Sequence, residues 1–230
     1  MHNAHSRRRF LTLIAENLTI DRGGRRVFQD LSFKLDSGTA LVVTGANGIG
    51  KSSLLRTLAG LVALVKGEIR LENGDAEKPA HEHAHYFGHQ DAIKPALTAL
   101  ENLHFWQSFS SPASGANFSG GATPPMQALE TLGIGHTAHL PAAYLSAGQK
   151  RRLSLSRLLI TPRPVWLMDE PTSALDKASE QQLLGLMNGH LADGGMIVTA
   201  THTELALDKI QVLHLEAAEH SDQMLEEELI

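Results

Sequence analysis

Residues 45–52 read Gly45-Ala46-Asn47-Gly48-Ile49-Gly50-Lys51-Ser52, and they follow Ala40-Leu-Val-Val-Thr44, a short apolar run rich in β-branched residues. A buried strand that opens into the spacing G-x-x-x-x-G-K-S admits few folds, because that is the strand, loop and helix of an α/β P-loop protein. Glycines let the backbone take left-handed angles, so successive N–H groups converge on one point. The helix that follows aims its positive end at the same place. Such a cradle suits a phosphate. Lys51 adds a charge for the β- and γ-phosphates, Ser52 a hydroxyl for Mg²⁺, and with Ser53 the expected nucleotide-binding run spans 45–53. In the helix, Leu54, Leu55 and Leu58 share one face.

The rest of the chain reads as one α/β domain with a lobe set into it. Leu18-Thr-Ile20 and Phe28 to Leu35 are expected strands joined by the turn Arg22-Gly-Gly-Arg25, a small antiparallel piece. From Asp91 to Tyr144 the texture becomes helical, at Leu97 to Trp106 and Met126 to Leu132. These flank a Gly-, Pro- and Ser-rich loop, Ser110 to Pro125, read as a flexible excursion. The α/β alternation then returns. A helix spans Ala147 to Ile160, a buried strand Val165 to Met168, and a further helix carries Leu183, Met187 and Leu191 on one face; Gly194-Gly195 stop it before the strand Met196 to Ala200. Within a single domain, 1–230, the expected division is a core at 14–90 and 146–213, a helical subdomain at 91–145, and an acidic tail at 214–230.

Composition removes several classes. A net charge of −5, from 25 acidic and 20 basic residues, gives no electrostatic footprint for nucleic acid, and no such partner is expected. The absence of cysteine excludes a disulfide scaffold and a Cys-based zinc site. The longest apolar stretch, near Leu58 to Val65, falls far short of the roughly 20 residues a spanning helix needs. Ser6-Arg7-Arg8-Arg9-Phe10-Leu11 imitates a twin-arginine export signal, but only Phe10 to Ala15 intervene before Glu16 and no cleavage site follows. A mobile basic arm is expected there instead.

Val165-Trp-Leu-Met168 ends in two carboxylates, Asp169 and Glu170. Beside a P-loop they divide labour: Asp169 is placed to hold Mg²⁺, and Glu170 to polarise an attacking water as general base. Leu145-Ser146-Ala147-Gly148-Gln149 resembles the signature motif of ABC-type ATPases, and with it the chain is identified as resembling that family. The resemblance implies a RecA-like P-loop core and ATP with Mg²⁺. It also implies that Ser146, Ala147, Gly148 and Gln149 face the γ-phosphate held by a second copy, giving an ATP-sandwich dimer. By the same resemblance Gln90 ligates Mg²⁺ and senses the lobe, Asp176 crosses the dimer interface, and His202 bonds the γ-phosphate. Two departures stand out: Ala147 replaces the usual first glycine, and Ile49 a usually small residue. Where relatives often carry an aromatic ring for adenine the chain has Arg22, leaving Arg22 or Phe28 for that role.

The stretch from Tyr86-Phe-Gly-His-Gln90 to Leu103-His-Phe-Trp106, with LVVTGANGIGKSSLLRTLAGL and LSAGQKRRLSLSRLL, resembles more narrowly the ATP-binding subunits of bacterial cytochrome c maturation. That implies a peripheral subunit on the cytoplasmic face of the inner membrane, paired with integral membrane subunits whose loop docks between Gln90 and Trp106. Hydrolysis would energise haem export, or release of a haem-loaded chaperone. An ATPase for another exported substrate and a soluble non-transport ABC ATPase stay open as alternatives. The separation of 95 positions from Lys51 to Ser146 leaves no room for a long coiled coil, which speaks against DNA-repair relatives. His81, His83, His85 and His89 alternate as if the first three shared one strand face, an exposed edge rather than a ligand set complete enough for metal or haem.

Overall fold

The computed structural model describes residues 10–88, 90–109, 120–173 and 175–216. The basic arm, His89, most of the Gly/Ser loop and the acidic tail beyond Glu216 lie outside the described residues.

Two sheets organise the chain. The first is antiparallel, in the order β2-β1-β4, with β1 at Thr12–Arg22, β2 at Arg25–Asp36 and β4 at Lys66–Glu72. The expected hairpin is there, with both strands longer than the apolar pattern indicated and turning at Gly23-Gly24. β1 bulges at Asn17, whose φ is 52°, and Gly67 of β4 faces that bulge so closely that a Cβ would stand 2.6 Å from the Asn17 carbonyl. Only glycine fits.

The second sheet is parallel, in the order β5-β6-β7-β3-β8, comprising β3 (Ala40–Thr44), β5 (Ala84–Phe87), β6 (Val165–Asp169), β7 (Met196–Ala200) and β8 (Ile210–His214). Every residue of β6 and β7 is buried, as continuous apolar runs require when both faces are covered. One face carries α1 (Lys51–Leu58) and the antiparallel sheet; Leu54, Leu55 and Leu58 pack there with Ile20, Phe28 and Val43. The other face meets α4 (Ala147–Ile160) and α5 (Lys177–Ala192), and its core continues into the lobe formed with α2 (Ala99–Phe109) and α3 (Pro125–Thr131). In open parallel sheets ligands bind outside the carboxyl ends of the strands. The segments singled out by sequence leave the sheet there, at the ends of the neighbouring strands β5, β6, β7 and β3.

The histidines do not share a strand face. His81 and His83 lie in a 3-10 turn, Ala80–His83, and only His85 enters β5. Pro79 starts the turn, which ends the alternation the sequence suggested. Among the described residues no group of three or more His, Asp or Glu side chains stands where it could hold a metal.

A different histidine sets a pH limit. His190 is 6% exposed, stacks on Trp166 with ring centroids 4.0 Å apart, and has Nε2 3.3 Å from the Met196 carbonyl. Burial pushes its pKa down to about 4, against an ordinary value near 6.5. Below pH 6.5 the unfolded chain therefore takes up a proton that the native protein refuses, so stability is present above pH 6.5 and lost as pH falls toward 4. Between pH 7 and 5 this removes about 2 kcal/mol. Urea unfolding at both pH values is expected to show at least that loss in the wild type, since burial also lowers the pKa of His85, and a response flatter by about the His190 share in His190→Gln.

Candidate nucleotide site

The loop after β3 is shaped by glycine. Gly45, Gly48 and Gly50 have φ of 135°, 77° and 118°, and a Cβ on Gly45 would stand 2.7 Å from the Leu215 carbonyl. Gly50 ends the loop as the N-cap of α1, with no capping side chain and no acidic residue in the first turn. The first N–H groups of α1 thus keep their capacity for an anion. Ala46, Asn47 and Gly48 are exposed, while Ile49 packs partly into the core beneath. Lys51 is 8% exposed, and its Nζ donates to the carbonyls of Gly45 and Ala46 at 2.7 and 3.0 Å. Ser52 follows at the second position of α1, partly open, and Ser53 is buried.

Asp169 closes β6 at 1% exposure, and α1 packs on β6 and β7. Glu170 is the first residue beyond the strand. It is half-buried and has φ 49°, a left-handed conformation that costs a non-glycine residue about 1–3 kcal/mol. Its N–H donates to the Ala200 carbonyl at 2.8 Å, which ties it to the end of β7. His202, two residues past β7, brings Nε2 to 3.5 Å from Glu170 Oε1. The fold therefore assembles the pair from segments 32 positions apart. A carboxylate beside an imidazole, at the mouth of a phosphate cradle, has the chemistry to orient and deprotonate a water.

Gln90 is exposed in the bend after β5. Ser52, Asp169 and Gln90 carry hydroxyl, carboxylate and amide oxygens, hard donors of the kind that suit Mg²⁺ rather than a softer metal. Phe28 is 4% exposed inside the core and is therefore removed from adenine stacking; Arg22 is exposed at the end of β1, with Nη1 3.5 Å from Ser53 Oγ.

Ser146, Ala147, Gly148 and Gln149 begin α4 on the lobe side. Ser146 is its N-cap: Ser146 Oγ accepts from the Gln149 N–H at 3.2 Å, and Gln149 Oε1 accepts from the Ser146 N–H at 2.9 Å. The S-x-x-Q spacing within the signature is thus also that of a capping box. Among the described residues no hydrogen bond joins these four residues to the loop at 45–52. Asp176 caps α5, accepting from the Ser179 N–H at 2.8 Å, and that bond holds its carboxyl below the usual range.

Such a cradle, served by carboxylates at the carboxyl ends of parallel strands, defines a P-loop nucleoside triphosphatase. The chain belongs to the ABC transporter family of ATP-binding, ATP-hydrolysing subunits, whose family model, described as ABC transporter, matches residues 28–173. It is 53% identical over 197 residues to the cytochrome c biogenesis ATP-binding export protein CcmA of Nitrobacter winogradskyi, covering 86% of this chain and 94% of that protein. To the protein of the same name from Mesorhizobium japonicum it is 52% identical over 199 residues, covering 86% and 95%. A solved ATP-binding subunit of an ABC transporter shares the fold at TM-score 0.73 with 23% identity, covering 89% of this chain and 88% of that one. A putative ABC transporter ATP-binding protein from Pyrococcus furiosus gives 0.69 with 21% identity, covering 88% and 97%. The fold is thus the RecA-like ABC core with an antiparallel piece and helical insertions. Among the described residues no helix is long and apolar enough to cross a membrane.

Proposed function

We propose that this protein is the ATP-hydrolysing subunit of an ABC transporter of bacterial cytochrome c maturation, and that it energises haem export or release of a haem-loaded chaperone. The observation that carries this reading is identity above one half across nearly the full length of proteins named for that process. Two copies bind ATP between them at the cytoplasmic face of the inner membrane, each signature segment, Ser146 to Gln149, meeting the γ-phosphate held by the other copy. Asp176 lies along that interface. Integral membrane subunits dock in the groove of about 830 Å³ between core and lobe, whose lining includes Gln90, Trp106 and Arg157.

Within each site, Gly45 to Gly50 wrap the phosphates with backbone N–H groups, and Lys51 neutralises the β- and γ-oxygens. Arg22 offers its guanidinium plane to adenine. Ser52, Asp169 and Gln90 would hold Mg²⁺, which would supply charge neutralisation at the phosphate oxygens. Glu170 orients the attacking water and takes its proton, while His202 steadies the carboxylate and donates to the γ-phosphate.

Deleting the gene and staining periplasmic proteins for covalent haem tests the process. The expected result is loss of c-type cytochromes, restored by the wild-type gene and not by the Lys51→Ala allele. Normal haem staining in the deletion strain overturns the maturation reading.

A further inference from the structure

Of Lys150-Arg151-Arg152, which follow the signature, Arg151 alone is buried, at 5% exposure. Its guanidinium reaches three functional segments at once. Nη1 donates to the Gly88 carbonyl at 2.7 Å and to Asp91 Oδ1 at 3.3 Å, and Nη2 donates to the Glu170 carbonyl at 3.1 Å. The guanidinium also lies over the Phe87 ring, with Cζ 3.8 Å from the centroid. Gly88 and Asp91 bracket Gln90, and Phe87 ends β5. Arg151 itself sits two residues beyond Gln149, on the helix that the signature caps.

Burial lowers the Arg151 pKa and Asp91 opposes that shift; a guanidinium keeps its charge through such changes. A desolvated charge with so many directed bonds fixes whatever it touches. What it touches includes the strained peptide. Glu170 has φ 49° although Pro171 follows, and a residue before proline is driven toward extended backbone. Three hydrogen bonds hold the conformation: the Glu170 N–H donates to Ala200, and its carbonyl accepts from Arg151 and, within the following turn, from the Ser173 N–H, each at 3.1 Å. The Ser173 bond is local and moves with the turn, whereas Arg151 alone ties the carbonyl to another element; releasing it lets the peptide and its turn relax together, which swings the carboxylate away from His202.

We propose that Arg151 is a positioning residue that holds the Glu170 peptide in its left-handed conformation, in fixed register with the Gln90 loop and the signature helix. It contacts no reacting atom and acts only through Glu170, so the inference rests on Glu170 as the general base. Lysine cannot replace it, because an ammonium has no planar fork to span the Gly88 and Glu170 carbonyls together.

The test is single-turnover ATP hydrolysis by the full-length protein carrying Arg151→Gln or Arg151→Lys, each in the wild-type and the Glu170→Gln background. Misplacing the base lowers kcat about 30-fold in both variants, with KM for ATP moving less than about threefold. In the Glu170→Gln background the same substitutions change the residual rate by less than about twofold, because the group they misplace is already gone. Arg151→Lys keeps the charge beside Asp91, so it remains informative should Arg151→Gln fail to fold. Wild-type kcat in Arg151→Lys, or an equal loss in both backgrounds, overturns the inference. Full turnover in Glu170→Gln alone overturns the base assignment instead, so the two failures are distinguishable.

Discussion

Replacing Glu170 with Gln is expected to lower ATP turnover about 10³-fold, within the range that a positioned general base contributes, while nucleotide still binds. The amide keeps the size of the carboxylate and leaves the three backbone hydrogen bonds of residue 170 in place. It cannot accept a proton from water. Because the cradle at 45–52 is untouched, ATP is bound and not consumed, and the two-copy form accumulates. Size-exclusion chromatography with ATP and Mg²⁺ is expected to show a dimer for Glu170→Gln where the wild type returns to monomer as ATP is spent. Turnover within about tenfold of wild type would sink the assignment of the base.

Lys51→Ala is expected to fail earlier in the cycle. Its Nζ is the charged donor inside the loop, so alanine removes a buried charge-assisted contact and leaves the Gly45 and Ala46 carbonyls without that donor. ATP affinity falls about 100-fold, as for truncation of one partner of a buried hydrogen-bonded charge pair, and turnover falls below detection. The variants therefore separate: one binds and dimerises without turning over, the other does neither. Equilibrium binding of a fluorescent ATP analogue and the same chromatography distinguish them. Lys51→Ala binding ATP like the wild type would remove the lysine from phosphate recognition.

The fold was legible where burial is uniform. β6 and β7 are short runs buried at every residue in a doubly covered sheet, β3 is buried at three of its five, and such apolar segments have few other places to go. β4 and β8 left no such trace. Lys66–Glu72 carries a charge at every second position and is exposed or half-buried throughout at the edge of the small sheet, and Ile210–His214 is largely exposed at the edge of the large one. Both owe their strand state to the neighbour they pair with, which no local pattern records. At the site the P-loop could be read residue by residue, because glycine and lysine at that spacing have one structural use. The left-handed Glu170 could not, since the following proline argued for extended backbone. Arg151 was hidden among three consecutive basic residues. Yet Arg151, Ser154, Leu155 and Leu158 fall at i, i+3, i+4 and i+7, all buried, and that face already marked the arginine as interior.

The bonds from Lys51 to the carbonyls of Gly45 and Ala46 make the arrival of nucleotide an exchange of acceptors rather than the filling of a bare charge. What recognition gains at this lysine is the difference between a neutral carbonyl and a phosphate anion. Ligands are therefore ranked by the charge they present: a nucleoside without phosphates gains nothing at Lys51, and a triphosphate gains most. The same two carbonyls fold the loop around its own side chain, so the cradle is built by the chain itself and does not depend on the ligand for its shape.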